Sequence, residues 1–371
     1  MATRRRTAAT SGPRADQGEP AFAARLLGWF QTSARDLPWR RTRDPWAIWV
    51  SEVMLQQTRV AAVREPFAAF VARFPTPAAF AKASDDELFA AWRGLGYYRR
   101  ARLLREGAKA VVREHGGQVP HTADQLAELP GIGTYTRGAI ASIAFGCAEP
   151  AIDGNVERVV ARHRGIREPV DTAAVRRRIH AQVVAWLPTA APGDFNQALM
   201  ELGATVCTPQ APACERCPVA ADCLGRAAGI ASELPRRKPR RASVEVTARA
   251  VLVFDRGRAL GARVPAGEPN AGQIELPSGG ALCSLDPTDL PATLHERYGA
   301  HLDCGPVLAS IRHAITHHRI TVHGHAGTAN NVGRLNWLPL DATTPWTTIA
   351  RKLFAAVLGS DSLRQSATGA S

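Results

Sequence analysis

Residues 129–156 read LPGIGTYTRGAIASIAFGCAEPAIDGNV, and this stretch organises the interpretation of the whole chain. It opens with the turn LPGIG, which separates the helical pattern of residues 122–129 from that of residues 134–145. Gly131 and Gly133 let the backbone approach a partner closely and leave the first N–H groups of the next helix free to hold a phosphate. An ordinary helix hairpin contains the same kind of turn, so the turn alone leaves both interpretations open.

A carboxylate follows this turn after one intervening helix. Asp153 and Asn155 lie in the segment AIDGNV and precede another helical run. Asp153 is therefore a candidate for chemistry beside a bound phosphate. Both residue types are also typical of a helix N-cap, where a side-chain oxygen accepts hydrogen bonds from the first backbone N–H groups.

The composition predicts a two-domain protein with a polyanionic partner. The chain has 371 residues and a net charge of +13, which favours nucleic acid as the partner over the plain alternative of an Arg-rich solvated surface. No apolar run approaches the ~18 residues of a membrane span. Residues 1–20 lack an apolar secretory core and are interpreted as a disordered basic tail. Lysine is scarce: the lysines are Lys82, Lys109, Lys238 and Lys352.

A long helical segment is predicted from Pro45 through residue 63, WAIWVSEVMLQQTRVAAV, because its apolar residues recur at helical spacing. Glu52 interrupts this apolar neighbourhood. A buried glutamate has a raised pKa, which suits a general acid. The alternative is a surface glutamate on the opposite face of the helix.

The rest of the N-terminal region is predicted to be helical. Helical patterns cover residues 21–30, 85–92, 99–115, 172–186 and 194–206. The loop GLGYYRR, residues 94–100, places two tyrosines beside two arginines. This composition suits stacking on bases and neutralising phosphates, or equally a set of core aromatics at a helix junction.

The cysteine pattern indicates a metal site. Seven cysteines in a chain without a secretion signal argue against a disulfide framework. Four of them follow the spacing Cys-x6-Cys-x2-Cys-x5-Cys, and they are Cys207, Cys214, Cys217 and Cys223. Either a [4Fe–4S] cluster or a structural zinc fits four such thiolates. Zinc sites usually pair two short-spaced couples, so a single short couple favours the cluster without excluding zinc.

A second domain begins after a basic linker. Residues 231–244 include LPRRKPRRASV, which is typical of a domain boundary. Strand patterns follow in VEVTARAVLVF, RALGARV and HRITVHGHAG, and helices are predicted at residues 290–298 and 347–358. These elements predict an α+β domain over residues 245–359, and residues 360–371 are interpreted as a disordered tail.

Several motifs now coincide. The LPGIG turn, the aspartate of AIDGNV and the four-cysteine spacing together resemble the helix-hairpin-helix DNA glycosylases of the endonuclease III superfamily. The segments LPWR, SEVMLQQT, GLGYY, AIDGNVERV and FNQALMELGATVC resemble the MutY-type adenine glycosylase branch. The resemblance is dense over residues 22–230. It implies a mainly α glycosylase domain over residues 21–230, a [4Fe–4S] cluster rather than zinc in the loop 207–223, and monomeric enzymes that act on duplex DNA.

The C-terminal domain is similar to the Nudix-like domain with which that family recognises 8-oxoguanine. The segment LPSGG, residues 276–280, resembles the family's FPGG. Ile315, Thr316 and His317 stand where the family usually has Phe-Ser-His, which implies lesion recognition by Thr316 and His317. The glutamate-rich Nudix metal box is absent, since ATLHERYGA offers only Glu296, so no pyrophosphohydrolase activity is expected.

The resemblance also implies roles in the chemistry of base removal. Adenine leaves poorly as an anion and needs a proton on its ring, while the sugar cation left behind needs a carboxylate. Glu52 is implied as the acid and Asp153 as the stabiliser of the cation. Asn155 supports them through a hydrogen bond, and Tyr135 positions Asp153 or shields the cation.

Further residues are implied in binding. Trp39, Arg40 and Gln197 are candidates for the adenine pocket, and the turn glycines for binding DNA backbone. Gln57 and Tyr97 are expected to wedge into the base stack that adenine leaves.

Tyr135 separates two branches of the superfamily. Bifunctional members carry a lysine in this turn, which attacks the sugar as an amine. Here no lysine lies between Lys109 and Lys238, so we expect a monofunctional glycosylase. It would act on adenine opposite 8-oxoguanine or guanine and begin base excision repair in a bacterial-type cytoplasm, beside the nucleoid. A thymine or uracil mismatch glycosylase and a non-catalytic DNA-scanning module remain the alternatives.

Overall fold

The computed structural model describes residues 19–239, 242–265, 267–268, 270–280, 289–315, 317–341 and 343–359. The described residues of Met1–Lys82 and Arg100–Lys238 form one compact unit, and those of Ala83–Arg99 and Pro239–Ser371 form a second. The tails predicted to be disordered lie almost entirely outside the described residues. The prediction of a mainly α region followed by an α+β region is confirmed.

Helices dominate the chain up to residue 227. They are α1 (Glu19–Ser33), α2 (Pro45–Leu55), α3 (Val60–Arg73), α4 (Pro77–Ala81), α5 (Asp85–Ala91), α6 (Arg99–Glu114), α7 (Ala123–Glu128), α8 (Thr134–Phe145), α9 (Gly154–His163), α10 (Ala173–Trp186), α11 (Pro192–Thr205) and α12 (Leu224–Ala227). All belong to the first unit except α5 and the first residue of α6, Arg99. The turn LPGIG connects α7 to α8, as the sequence predicted. Among the described residues, no helix combines the length and the apolar character needed to cross a membrane.

Helices α1, α9, α10 and α11 enclose an apolar core in the first unit. The ring of Phe22 stacks on that of Trp186 with 3.9 Å between the ring centroids. Elsewhere in the unit, α2 packs against α8. Nearly all of α2 is buried, since its apolar side chains surround the helix rather than forming one stripe.

One predicted helix is in fact two. The sequence predicted a continuous helix from Pro45 through residue 63, but α2 ends at Leu55 and α3 begins at Val60. A turn closes between them because the N–H of Thr58 donates to the carbonyl of Leu55 at 3.2 Å. The segment holds neither Gly nor Pro, so the break carried no local signal.

The second unit is built on two sheets. Its strands are β1 (Val244–Leu252), β2 (Phe254–Asp255), β3 (Arg258–Arg263), β4 (Ile274–Glu275), β5 (His301–Ile315), β6 (His318–Asn331) and β7 (Asn336–Pro339). One sheet has the order β1-β6-β5, with β1 parallel and β5 antiparallel to β6. In the other, β2, β4 and β7 each pair antiparallel with β3. The strand β5 was not predicted.

Two further helices, α13 (Leu290–Tyr298) and α14 (Thr348–Leu358), cover this sheet system. Successive residues of β1 point to opposite faces: Leu252 joins a core with Phe354 of α14, whereas Val251 joins a second core with Leu294 of α13. The arrangement is an α+β sandwich. Within the predicted linker, Ala231–Glu233 form a 3-10 helix and β1 begins at Val244.

Candidate active site

Glu52 is a buried carboxyl group on α2. Asp44 caps the start of this helix, its side chain accepting the N–H groups of Trp46 and Ala47. Glu52 lies on the helix with only 5% of its surface exposed. Burial raises the pKa of Glu52 to about 7; the charge of Asp153 adds to this, and the hydrogen bond from Tyr135 opposes it. The Glu52 carboxyl group can therefore either donate or accept a proton near neutral pH.

Tyr135 is the hydrogen-bond partner of Glu52. It lies in the first turn of α8, two residues after Gly133, the N-cap of that helix. The packing of α2 against α8 brings its hydroxyl to Glu52, where it donates to Oε2. The same hydroxyl is 3.2 Å from the sulfur of Met200. Tyr135 thus holds Glu52 through this hydrogen bond, a contact that the sequence interpretation, which had Tyr135 positioning Asp153 or shielding the cation, did not include.

Asp153 lies at the N-cap of α9. Its Oδ1 accepts the backbone N–H groups of Asn155 at 2.9 Å and Val156 at 2.8 Å, and its Oδ2 accepts Nδ2 of Asn155 at 2.7 Å. Burial raises the pKa of Asp153, and these hydrogen bonds oppose that effect. The N-cap alternative is therefore correct as a description of the local structure, and it does not remove the carboxylate from the site.

Asn155 is held in turn by Arg158. The guanidinium donates from Nη2 to Oδ1 of Asn155 at 2.7 Å and to the carbonyl of Gly203 at 2.9 Å. Its Nε donates to the carbonyl of Cys207 at 2.8 Å. The hydrogen bonds that orient Asp153 thus extend to the start of the four-cysteine loop.

These groups line one cavity of about 790 Å³ in the first unit. The predicted residues in its wall are Trp39, Arg40, Glu52, Gln57, Gly131, Gly133, Tyr135, Asp153, Asn155 and Gln197. Among the residues predicted for catalysis, the adenine pocket and DNA binding, Tyr97, which belongs to the second unit, is not in this wall. Residues that are far apart in sequence therefore meet in one place, as a catalytic pocket requires.

Glu201 is a site residue that the sequence interpretation missed. Its side chain is fully buried and forms ion pairs with Arg35 at 2.7 Å and Arg40 at 2.8 Å. Burial alone would raise the pKa of Glu201, but the hydrogen bonds from both arginines outweigh this and lower it to about 2. Glu201 fixes the guanidinium of Arg40 at the cavity wall. Its position four residues after Gln197 on an apolar helix was the available signal.

Two residues predicted to wedge into DNA have an unusual backbone. Gln57 has φ 56° and Tyr97 has φ 47°, a region that side chains other than glycine seldom occupy. Gln57 is exposed and 65% of the surface of Tyr97 is exposed. Gly131 has φ 82°, and a Cβ there would lie 2.8 Å from Cβ of Leu103, so the turn requires glycine.

The four clustered cysteines line a second cavity in the first unit. Arg162 borders it, with Nη1 3.4 Å from the sulfur of Cys207. Burial raises the pKa of the Cys217 thiol to about 11, and the neighbouring cysteines add to this. Within the described part of the chain, no group of three or more Cys, His, Asp or Glu is arranged to hold a metal ion.

Of the two predicted lesion-recognition residues, His317 lies between the end of β5 and the start of β6. Thr316 falls outside the described residues. His317 is half-buried, and its ring centroid is 4.1 Å from that of His318. Its carbonyl accepts the N–H of Val244 at 2.9 Å, which fixes the backbone at this point.

Comparison with known proteins identifies the family. Residues 50–183 match the family described as "HhH-GPD superfamily base excision DNA repair protein". The "Adenine DNA glycosylase" of Mycolicibacterium smegmatis is 44% identical over 232 residues, which cover 62% of this chain and 78% of that protein. The chain belongs to the adenine DNA glycosylase family. Human "Adenine DNA glycosylase" is 49% identical over 215 residues, which cover 56% of this chain.

The chain matches only part of its first curated relatives within the adenine DNA glycosylase family. The alignments cover 39% of the human protein and 41% of the rat protein. Among solved structures, a "thermostable thymine-DNA glycosylase" is 28% identical with a TM-score of 0.53, covering 57% of this chain and 98% of that one. An endonuclease III–DNA complex shares the fold. It is 24% identical with a TM-score of 0.50, covering 58% of this chain and 97% of that one.

Proposed function

We propose that the chain removes adenine paired with 8-oxoguanine or guanine from duplex DNA, as the first step of base excision repair. One observation carries the proposal: the buried carboxyl of Glu52 has its pKa raised to about 7 inside a cavity that it shares with Asp153. A base buried in a duplex must be flipped out to reach such a pocket. The cavity is large enough for a flipped nucleoside.

The chemistry divides between the two carboxyl groups. Protonated Glu52 donates its proton to a ring nitrogen of adenine, so that the C1′–N9 bond breaks with its electron pair going to the base. The sugar becomes an oxocarbenium ion, which the carboxylate of Asp153 stabilises. Water then adds to C1′, and its proton passes to the carboxylate of Glu52. Tyr135 holds Glu52 in place by the hydrogen bond from its hydroxyl.

The reaction ends at the abasic site, since a lyase step requires an amine that attacks C1′. No lysine lines the cavity. Borohydride is therefore expected to trap little enzyme on abasic product. Efficient trapping would show that the chain is bifunctional.

The four cysteines support a [4Fe–4S] cluster. They border one cavity together. Cys207, Cys214, Cys217 and Cys223 would hold the cluster, which fixes the loop when bound. The purified protein is expected to be brown, with broad absorption near ~400 nm. A colourless protein containing zinc would contradict this assignment.

Other residues support binding of the mispair. Gln57 and Tyr97 are exposed, and each has a backbone with positive φ. This exposure suits insertion into the base stack. Gly131 and Gly133 suit close approach of a phosphate to the start of α8. Trp39, Arg40 and Gln197 would surround adenine. Recognition of 8-oxoguanine is assigned to Thr316 and His317 of a Nudix-like domain, residues 245–359, after the 231–244 linker.

The partner is duplex DNA, on which the chain acts as a monomer. In a bacterial cell this substrate lies in the cytoplasm, in the nucleoid.

The substrate choice is tested by single-turnover base release on matched duplexes that contain A:8-oxoguanine, A:G or T:G. Adenine release opposite 8-oxoguanine supports the proposal. Preferred release of thymine would establish the second candidate, which the similarity to a thymine-DNA glycosylase structure favours. Glu52→Gln and Asp153→Asn are expected to bind the A:8-oxoguanine duplex but release no adenine. Binding without any release by the wild-type chain would make it a DNA-scanning protein.

A further inference from the structure

The turn between α2 and α3 has a conformation that its sequence does not favour. Gln56 has φ −57° and ψ 115°, and Gln57 has φ 56°. With the hydrogen bond from the N–H of Thr58 to the carbonyl of Leu55, these angles define a type II β-turn. Its third position normally holds Gly or Asn, because the backbone there needs a positive φ. Here that position is Gln57, so something outside the turn must hold it.

Arg100, at the start of α6, contacts the turn from the side. Its Nη1 donates to the carbonyls of Val53 at 2.7 Å and Met54 at 3.0 Å, and also to that of Gln56. Its Nη2 donates to the hydroxyl of Thr58 at 3.0 Å. One guanidinium therefore binds the last carbonyls of α2 and both sides of the turn. Helix-terminal carbonyls lack partners within the helix, so these bonds also end α2.

The decisive bond is the one to the carbonyl of Gln56. Types I and II of a β-turn differ mainly by rotation of the peptide between the two central residues, here Gln56 and Gln57. The rotated peptide would point its carbonyl away from Arg100, and Gln57 would take the negative φ that glutamine prefers. Losing a charge-assisted hydrogen bond opposes that rotation.

We propose that Arg100 is a positioning residue that locks the Gln56–Gln57 peptide in the type II orientation and so presents Gln57 for insertion into the DNA stack. This rests on the proposed function, because insertion matters only if the chain extrudes a base. Glu52 lies on α2 a few residues earlier, so the same guanidinium also fixes the end of the helix that carries the acid.

The turn itself is tested without any DNA. The hydrogen bond from Thr58 to Leu55 is common to both turn types, so the measurement must report the central peptide itself. The NOE between Hα of Gln56 and the amide proton of Gln57 does so, because these protons lie close together in a type II turn and farther apart in type I. Arg100→Met keeps most of the side chain's bulk but loses its donors, and is expected to weaken this NOE several-fold. Arg100→Lys keeps the charge and loses the second donor group, so its NOE should lie between those of the wild-type chain and Arg100→Met. An unchanged NOE in Arg100→Met would overturn the proposal.

The functional consequence is tested by a double-mutant cycle with Gln57→Gly, which favours the type II turn but lacks the side chain. Base extrusion is followed with 2-aminopurine beside a 2′-fluoro target adenosine that resists cleavage. Arg100→Met should reduce extrusion about tenfold in the wild-type background and less than about twofold in Gln57→Gly. An equal loss in both backgrounds would refute action through Gln57.

Arg43→Met is the matched control. Arg43 also donates to a backbone carbonyl of the first unit, that of Ile143 at 3.0 Å, but lies outside the turn. It should leave both the NOE between Gln56 and Gln57 and the extrusion unchanged, and a loss equal to that of Arg100→Met would refute the proposal. If the wild-type chain releases no adenine, the proposed function fails, whereas the NOE result on the turn still stands.

Discussion

Tyr135→Phe gives the sharpest test of how the acid is tuned. The substitution removes the hydroxyl that donates to Oε2 of Glu52 and keeps the buried ring. This hydrogen bond stabilises the ionised form of Glu52 and thus lowers its pKa against the effect of burial. Without it, the pKa of Glu52 must rise further above about 7.

A hydrogen bond to a charged group contributes about 1.5–3 kcal/mol, and one pKa unit corresponds to about 1.4 kcal/mol. Since the protonated form of Glu52 is the proposed acid, the rate of adenine release is expected to fall as pH rises through about 7 in the wild-type chain. In Tyr135→Phe the pH at which the rate falls should therefore be higher by about one to two pH units. The rate on the acidic side is expected to drop as well, because the carboxyl loses its fixed orientation.

The assay is single-turnover release of adenine from an A:8-oxoguanine duplex between about pH 5 and pH 9, where the profile reports ionisations in the bound complex. Met200→Leu is the control, since it removes the other group near the Tyr135 hydroxyl and leaves the bond to Glu52. Its profile should match that of the wild-type chain. A midpoint in Tyr135→Phe that stays in place or moves to lower pH would refute the assignment of Glu52 as the acid tuned by Tyr135.

Three further predictions concern stability and the cysteine loop. Glu52→Gln should raise the free energy of unfolding by about 3 kcal/mol at pH 8, because the raised pKa of Glu52 makes its ionisation costly in the folded state. Urea unfolding at a series of pH values should show this gain disappear near pH 4.5. Glu201→Gln should lower the free energy of unfolding by about 2–3 kcal/mol at pH 7, because the pKa of Glu201 is lowered to about 2 in the folded state. The difference in unfolding free energy between the variant and the wild-type chain should shrink as the pH falls below 4.5. Cys217→Ser should lose most of the bound iron, measured with acid-labile sulfide, whereas Cys147→Ser, outside the four-cysteine cavity, should keep it.

The sequence predicted the elements of this fold best where its signals are local. The helices on both sides of LPGIG and the helix at residues 290–298 match the structure closely because turn residues and helical spacing mark them. The break at Gln56 was missed because its cause is Arg100, far along the chain. The strand β5 was missed because it contains Gly305 and Pro306 and forms only by pairing with β6, with irregular register near those residues.

For the candidate site, too, features that are local in sequence were easier to predict than contacts between distant segments. Residue type and neighbourhood left both a buried and a surface position open for Glu52, and in the structure Glu52 is buried with a raised pKa. Which group binds which could not be read from the sequence, since the partners come from different helices. Tyr135 was expected to position Asp153 or to shield the cation, and the structure adds a hydrogen bond from its hydroxyl to Glu52. Glu201 was overlooked because its two arginine partners precede α2, and a lone glutamate on a helix carries no sign of them.

The proposed division of roles between the two carboxyl groups rests on their hydrogen bonds rather than on burial. Burial raises the pKa of both Glu52 and Asp153. Asp153 receives three N–H donors at the start of α9, and hydrogen bonds to the charged form favour that form. Glu52 receives one hydroxyl, from Tyr135, and faces the negative charge of Asp153. A proton entering the cavity near neutral pH therefore settles on Glu52, which leaves the anion at Asp153, where a sugar cation needs it.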